Sequence, residues 1–311
     1  MNTDKNPPIM PDSPPICDYE GSDYQTSFWE EGGRAYEDQA EAVALRRLLP
    51  PGGRLLLEVG AGAGRNTPRY RAFERVVLLD YSRTQLQQAQ ERLGRDSRYA
   101  YVAANAYHLP FVGGLFEAAT MIRTLHHMAE ARRALEQVRQ VLQPGGVFIL
   151  EYANKQNLKA MARYLLRRQA WSPFNQAPVE FAALNFDFHP QVVRDWLRQS
   201  GFTVERQLTV SHFRLGMLKK WLPLGLLVRL DALAQLTGNW WQLSPSVFVR
   251  ARARGQQAAL PEGEVDPSRA STWFRCLACD QASLVETAQA LVCPGCGRHW
   301  PIRDGIYDFR G

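Results

Sequence analysis

The sequence predicts a doubly wound α/β domain on a seven-stranded sheet, followed by a small separate unit at the C-terminus. Three observations carry this reading. Seven short apolar runs recur between residues 54 and 250, helical patterns separate the early ones, and four of the five cysteines fall in the last 40 residues. Strands that alternate with helices take crossover connections, which is the signature of a parallel sheet covered on both faces. The chain has 311 residues, 45% apolar and 22% charged. At roughly 100–200 residues per domain this allows one large domain or two unequal ones. The composition is that of a globular protein, which excludes bulk disorder and fibrous repeats. The most apolar stretch, 222–228, stops at Arg229, far short of the roughly 20 residues that a membrane-spanning helix needs. No apolar core follows the proline-rich start, so no signal peptide is read there.

Taken in order, residues 1–16 hold five prolines and no periodicity, and 1–18 are read as a disordered tail. Residues 19–40 are aromatic and acidic and read as a cap, with Tyr24, Trp29, Arg34 and Tyr36 candidates to fold over a ligand. Ala40, Val43, Ala44 and Leu48 repeat at helical spacing over 36–49, and Pro50-Pro51-Gly52 ends that helix. Strands follow at 54–59, 76–79, 99–103, 118–122, 147–152, 202–205 and 247–250, with helices at 82–93, 130–142 and 191–199. The main domain thus spans 19–254. Two extra segments, about 155–176 and 215–242, interrupt the alternation. Residues 255–270 read as a linker, and 271–311 as the small unit.

Formal net charge is +6, unevenly spread. Residues 1–40 carry nine acids and two bases, whereas 155–254 carry fifteen bases, five acids and five of the eight tryptophans. Basic and aromatic residues together suit RNA, an anionic lipid surface or a phosphorylated substrate. Solvated cations over core tryptophans account for them equally well.

The first strand ends in Glu58-Val59 and runs into Gly60-Ala61-Gly62-Ala63-Gly64-Arg65. Glycines there permit a tight turn and close approach of a ligand to bare backbone. Arg65 breaks the dinucleotide fingerprint at its third glycine. The second strand ends in Asp80, 20 residues after Gly60, where a carboxylate can accept both hydroxyls of a ribose; that feature alone suits a nicotinamide dinucleotide as well. Then come Asn105-Ala106 before Leu109-Pro110-Phe111, Arg123-Thr124-Leu125-His126-His127 after the fourth strand, and Leu142-Gln143-Pro144-Gly145-Gly146 before the fifth.

In that order these motifs resemble the class I S-adenosylmethionine-dependent methyltransferases over roughly residues 40–152. The resemblance implies a Rossmann-like fold, S-adenosyl-L-methionine as cofactor, and cofactor contacts at Glu58, Gly60, Ala61, Gly62, Gly64, Asp80, Tyr81, Asn105, Ala106 and Arg123. The family often has an acid where Asn105 stands; the amide carbonyl can still accept a bond from adenine, without the charge. Methyl transfer from a sulfonium releases a neutral group, so positioning and water exclusion can supply catalysis, and a base is needed only if the acceptor must lose a proton. His126 and His127 are the candidates for that role. Tyr152, Asn154 and Lys155 are candidates to line the acceptor pocket, and His189 either opens the helix at 191–199 or contacts the acceptor.

Cys276-x-x-Cys279 and Cys293-x-x-Cys296, 13 residues apart, have the spacing of two knuckles holding one tetrahedral zinc ion. Clustered thiols of this kind belong to a reducing compartment, so a cytoplasmic location is expected. Residues 274–309 resemble the small zinc-ribbon activators of methyltransferases that act on tRNA, rRNA and translation factors, here fused in cis. The resemblance implies an intramolecular activator or substrate clamp, or a purely structural zinc. The leading expectation is methyl transfer to a small or lipid-like acceptor, with peripheral membrane contact compatible with the apolar, basic insertions. RNA or a translation protein as acceptor is the first alternative, and a cofactor-binding regulatory protein without activity the second.

Overall fold

The structure, a computed structural model, describes residues 14–22, 32–214, 216–255, 266 and 269–310. Helix α1 (Ala35–Leu48) precedes strand β1 (Gly53–Val59), followed by β2 (Phe73–Asp80), α2 (Arg83–Leu93), β3 (Tyr99–Ala103), β4 (Phe116–Met121), α3 (Ala131–Val141) and β5 (Leu142–Ala153). The second half runs α4 (Leu158–Leu165), β6 (Val179–Ala182), β7 (Asn185–Asp187), α5 (Pro190–Gln199), β8 (Phe202–Val210), α6 (Gly216–Trp221), α7 (Leu224–Ala234) and β9 (Ser246–Ala253). The C-terminal unit contributes β10 (Val285–Glu286), β11 (Ala290–Val292), β12 (His299–Arg303) and β13 (Ile306–Asp308).

Local chemistry explains the element ends. Glu37 and Asp38 in the first turn of α1, with Arg46 and Arg47 in its last, complement the helix dipole. Ser82 caps α2 by accepting from the Gln85 amide at 3.2 Å, and Gly94 ends it at φ +89°. In α3 the buried side chains Ala131, Ala134, Leu135 and Val138 repeat at helical spacing.

The sheet of the main domain has the order β3-β2-β1-β4-β5-β9-β8. Its strands pair in parallel except β9, which runs antiparallel to both neighbours. All seven expected strands are present. Alternate side chains of β1 feed two separate cores, Leu55, Leu57 and Val59 into one and Leu56 into the other. Both faces are therefore covered, as a parallel sheet requires. The turn expected at 142–146 is the start of β5: Phe116 pairs with Leu142 and Ala118 with Val147, so residues 143–146 loop out of register. Among the described residues no helix is long and apolar enough to cross a membrane.

Three expectations are revised. The small C-terminal unit is not separate. Strand β13 pairs in parallel with β3, Ile306 opposite Tyr101 and Asp308 opposite Ala103, so β10 to β13 extend the main sheet to eleven strands. The Phe309 amide donates to the Ala103 carbonyl at 2.7 Å and the Val112 amide to the Trp273 carbonyl at 2.9 Å. Trp273, Phe274 and Trp300 are buried in the same core as Tyr107 and Phe111. Secondly, residues 14–18, read as tail, lie against the main domain, because the following Glu20 carboxylate accepts from the Arg83 and Thr84 amides. Thirdly, Tyr36 is buried with its hydroxyl donating to Asp231 at 2.9 Å, which ties α1 to α7 rather than covering a ligand. Arg34 stands at the N-cap position of α1 without a side-chain capping bond and lies 3.9 Å from Glu37. Tyr24, Trp29 and most of the expected linker lie outside the described residues.

Ile306 is fully buried at the junction of the unit and the main domain. Ile306→Ala should lower unfolding free energy by roughly 2–5 kcal/mol, measured by urea denaturation. A loss within the scatter of surface substitutions would mean that the two parts are not docked through β13.

Candidate functional site

A cleft of about 1000 Å³, counting its mouth, opens at the C-terminal ends of β1, β2 and β4. This is where open α/β sheets bind ligands. Gly60, at φ +69°, lets the chain turn while its amide bonds to the Leu79 carbonyl at 2.8 Å. A Cβ there would lie 2.1 Å from Thr124 Oγ1, so only glycine fits. Over Gly62 the space is open, the nearest atom to an added Cβ being Gln85 Oε1 at 3.8 Å. Bare backbone facing empty space is a cradle for a ligand.

Glu58, Gly60, Ala61, Gly62, Asp80, Tyr81, Asn105, Ala106 and Arg123 all line the cleft. Gly64 does not line it. An added Cβ there would strike Leu93 at 2.7 Å, so this glycine serves the packing of the loop on α2. Asp80 Oδ2 accepts from the Gly62 amide at 2.8 Å and Oδ1 from the Ser82 amide at 3.0 Å. Each oxygen keeps further lone-pair capacity. Burial raises its pKa against the pull of those amides. Glu58 is buried beneath the loop, accepting from Thr67 at 2.6 Å and Tyr70 at 3.3 Å, and burial pushes it up to about 7. Asn105 spends part of its amide carbonyl on the Tyr107 amide at 2.9 Å.

An ion network fixes the loops. Glu41 on α1 is wholly buried and accepts from Arg65 at 2.7 Å and from Arg123 Nε at 2.7 Å. Burial works to raise its pKa, but the two guanidiniums win and hold it at about 2. Asp38 takes a second bond from Arg65 and one from Arg69 at 2.6 Å.

The two candidate histidines separate. His127 lines the cleft; His126 does not. His127 Nδ1 lies 3.0 Å from the Leu184 carbonyl, which can only accept, so Nδ1 carries the proton. Its Nε2 then accepts from the Tyr19 hydroxyl at 3.2 Å. Burial lowers the His127 pKa and keeps the ring neutral. His126 packs behind it at 4.0 Å, with a buried Nδ1 that has no partner among the described residues. Nearby, Arg214 has Nε and Nη2 buried without a hydrogen-bond partner among the described residues. Asp187, on the hairpin β6–β7, is raised to about 6 by burial and by the charge of Glu151.

Of the other acceptor candidates, Asn154, Lys155 and His189 have structural partners, and the Tyr152 hydroxyl has none among the described residues. Asn154 donates to the Gln242 and Ser244 carbonyls, Lys155 donates to the Ala177 carbonyl at 2.6 Å, and Tyr152 is buried in the core. His189 caps α5, accepting from the Gln191 amide at 3.2 Å. Ile16, Cys17 and Tyr19 line the cleft although sequence reasoning placed two of them in a tail. No periodicity marks Ile16 and Cys17, so no local signal could have found them, whereas Tyr19 opens the aromatic, acidic stretch read as a cap. Arg310, from the C-terminal unit, lies over the Tyr81 ring at 5.8 Å and pairs with Glu20 at 3.0 Å.

The four cysteines converge, with all Sγ atoms within 4.8 Å of one another. Cys276 and Cys296 sulfurs lie 3.7 Å apart, Cys279 and Cys293 3.5 Å. A tetrahedral zinc with Zn–S of about 2.3 Å has sulfur–sulfur edges of about 3.8 Å, so the thiolates fit that ion and Cys276, Cys279, Cys293 and Cys296 would hold it.

A methyltransferase-domain family model matches residues 57–150, and a Trm112p-like protein model matches 163–305. A demethylmenaquinone methyltransferase of Clavibacter sepedonicus is 31% identical over 188 residues, covering 56% of this chain and 77% of the relative. An O-methyltransferase of Penicillium expansum is 30% identical over 147 residues, covering 43% of this chain; the chain spans 52% of that relative. Among solved structures, a chain of the complex between the Haloferax volcanii Trm112 methyltransferase activator and a methyltransferase superposes with TM-score 0.54 at 14% identity, over 75% of this chain and 96% of that one.

Two measurements check the site. The folded pKa of Glu41 lies below its ordinary 4.5, so its stabilisation is complete above 4.5 and is lost as pH falls toward about 2. Glu41→Gln should cost about 3 kcal/mol at neutral pH and flatten the acid limb of stability between those values; an unchanged limb would remove the pair from acid stability. Metal analysis of the purified chain should find a single zinc ion, and a chelator strong enough to strip it should unfold β10 to β12. A chain free of zinc with the C-terminal unit intact by amide exchange would refute the metal site.

Proposed function

We propose, since the chain belongs to the class I S-adenosylmethionine-dependent methyltransferases and carries a Trm112p-like domain in cis, that its cleft holds S-adenosylmethionine and directs methyl transfer to a small or lipid-like acceptor. The observation that carries this reading is the open backbone at Gly62, after the tight turn at Gly60, bordered by the carboxylates of Glu58 and Asp80. The cofactor supplies a methyl group on a sulfonium, leaving as a neutral thioether. The protein therefore has no anion to stabilise at the leaving group, and its work is alignment and exclusion of water.

In this reading Gly60, Ala61 and Gly62 admit the cofactor, Glu58 meets its ammonium and Asp80 accepts from its ribose. Tyr81, Asn105 and Ala106 flank the adenine, and Arg123 borders the methionine end. The pKa of Glu58, about 7, suits a carboxyl that gives up its proton when a cation arrives. His127 is the base where the acceptor must lose a proton: its neutral Nε2 is freed when Tyr19 withdraws. His126 supports its ring from behind. The zinc-binding unit acts in cis by holding β3 and, through Arg310, cleft-lining Tyr81 and the Glu20 carboxylate beside the N-terminal segment.

Demethylmenaquinone, named for the Clavibacter relative, is the acceptor to test first. The second reading, methylation of tRNA, rRNA or a translation protein, is favoured by the Trm112p-like match and the basic stretch 155–254.

Calorimetry should register S-adenosylmethionine binding, weakened roughly 10- to 100-fold in Asp80→Ala through loss of charged hydrogen bonds. With labelled cofactor, detergent-dispersed demethylmenaquinone should take up label while tRNA does not. Label in tRNA alone would move the assignment to the second reading, and absence of cofactor binding would overturn both.

A further inference from the structure

We propose that the two insertions, after β5 and after β8, form one docking surface for an anionic membrane. The first observation is apolar exposure where a solvated protein would hide it. Trp221 is 80% exposed, Trp240 75%, Leu165 74% and Leu233 68%. Single exposed apolar residues are ordinary, but a continuous band is not. Helix α7 buries only Leu227 and Asp231. Leu226, Leu230 and Leu233 stand outward along it at spacings of four and three, and Leu236, Trp240 and Trp241 continue the row. Helix α4 buries only Ala160 and exposes Leu158 and Leu165, while Tyr164 meets the exposed Phe174 edge-on. The two insertions join where the Leu158 amide donates to the Leu243 carbonyl at 2.9 Å and Asn154 donates to Gln242.

The second observation is the sign of the charge. Lys159, Arg163, Arg167, Arg168, Lys220 and Arg229 are exposed. Residues 155–178 contain no acid, and the only acid in 215–243, Asp231, is buried against Tyr36 and His212. Every exposed charge on the band is positive. Rows of leucine with interfacial tryptophan and a wholly cationic set are the chemistry of a helix lying in an anionic headgroup layer. RNA would take the cations and aromatic rings but has no use for the leucine rows. A protein partner would take the apolar rows but gives no reason for the missing acids.

Both insertions leave the same end of the sheet, where Ala153 pairs with Ser246, and the hairpin between them reaches cleft-lining His127 through Leu184. An apolar acceptor could pass from bilayer to cleft without crossing water. The proposal deepens the lipid-like reading of the acceptor, and its test reads separately from methyl transfer.

The full-length protein should be sedimented with vesicles of phosphatidylcholine containing roughly one-third phosphatidylglycerol, and with phosphatidylcholine alone. Binding to the anionic vesicles, weakened by salt and accompanied by a blue shift of tryptophan emission, is expected. Two triple variants, Trp221→Ser/Trp240→Ser/Trp241→Ser and Arg163→Glu/Arg167→Glu/Arg168→Glu, change only solvent-facing or half-buried side chains. Each should lose binding at least about tenfold while keeping the circular dichroism of the parent. No binding by the parent, or binding that neither variant weakens, would overturn the proposal. So would a self-associated or RNA-bound form that the same variants abolish in a chain indifferent to vesicles. Vesicle binding without methyl transfer would leave this surface standing and remove the acceptor reading; methyl transfer to dispersed acceptor without vesicle binding would do the reverse.

Discussion

The cleft depends on one buried carboxylate. Glu41 leaves water entirely, which costs several kcal/mol for an ion unless partners surround it. Its partners are Arg65, directly after the glycine loop, and Arg123, directly after β4. Helix α1 and two loops from different strands must therefore coincide at one point. Arg123 takes up φ +60° there, with its amide held by Glu151 at 3.0 Å. The same arrangement gives Arg65 a positive reason to exist. In the sequence it reads as the residue that spoils a dinucleotide fingerprint; in the structure it is a cation that Asp38 and Glu41 require.

A second constraint acts at the edge of the sheet. With β13 removed, β3 would present unpaired amides and carbonyls, a liability for any edge strand. The C-terminal unit has the complementary problem, because forty residues bury too little apolar surface to stand alone. Pairing β13 with β3 answers both. The four thiolates organise one end of the unit, while Trp273, Phe274 and Trp300 carry the main-domain core into it. Arg310 then brings its last residues against Tyr81 at the cleft. An element that looks like an appendix braces a residue of the cleft wall from behind.

Much was legible in the chain itself. The seven strands, the helices between them, the glycine loop, the carboxylate ending β2 and the two cysteine pairs each rest on residues close in sequence. Local periodicity, φ above zero at Gly60 and Gly62, and fixed ligand spacing are short-range properties. The misreadings share the opposite character. Gly64 packs on α2, Tyr36 meets Asp231 across 195 positions, and Asn154 and Lys155 bond to distant carbonyls. Ile16 and Cys17 reach the cleft from a segment with no pattern of its own.

By itself, then, the sequence determined the fold class, the seven strands that the main domain gives to the large sheet, and the positions of the glycine loop and cysteine cluster, because each follows from neighbours within a turn, a strand or a knuckle. Tertiary structure decided that the C-terminal unit joins the main sheet, that Glu41 clamps the loops, that His127 and not His126 faces the cleft, and that the insertions expose their leucines and tryptophans. Those outcomes depend on which distant surfaces meet and which polar groups each can satisfy, and no local pattern encodes that choice.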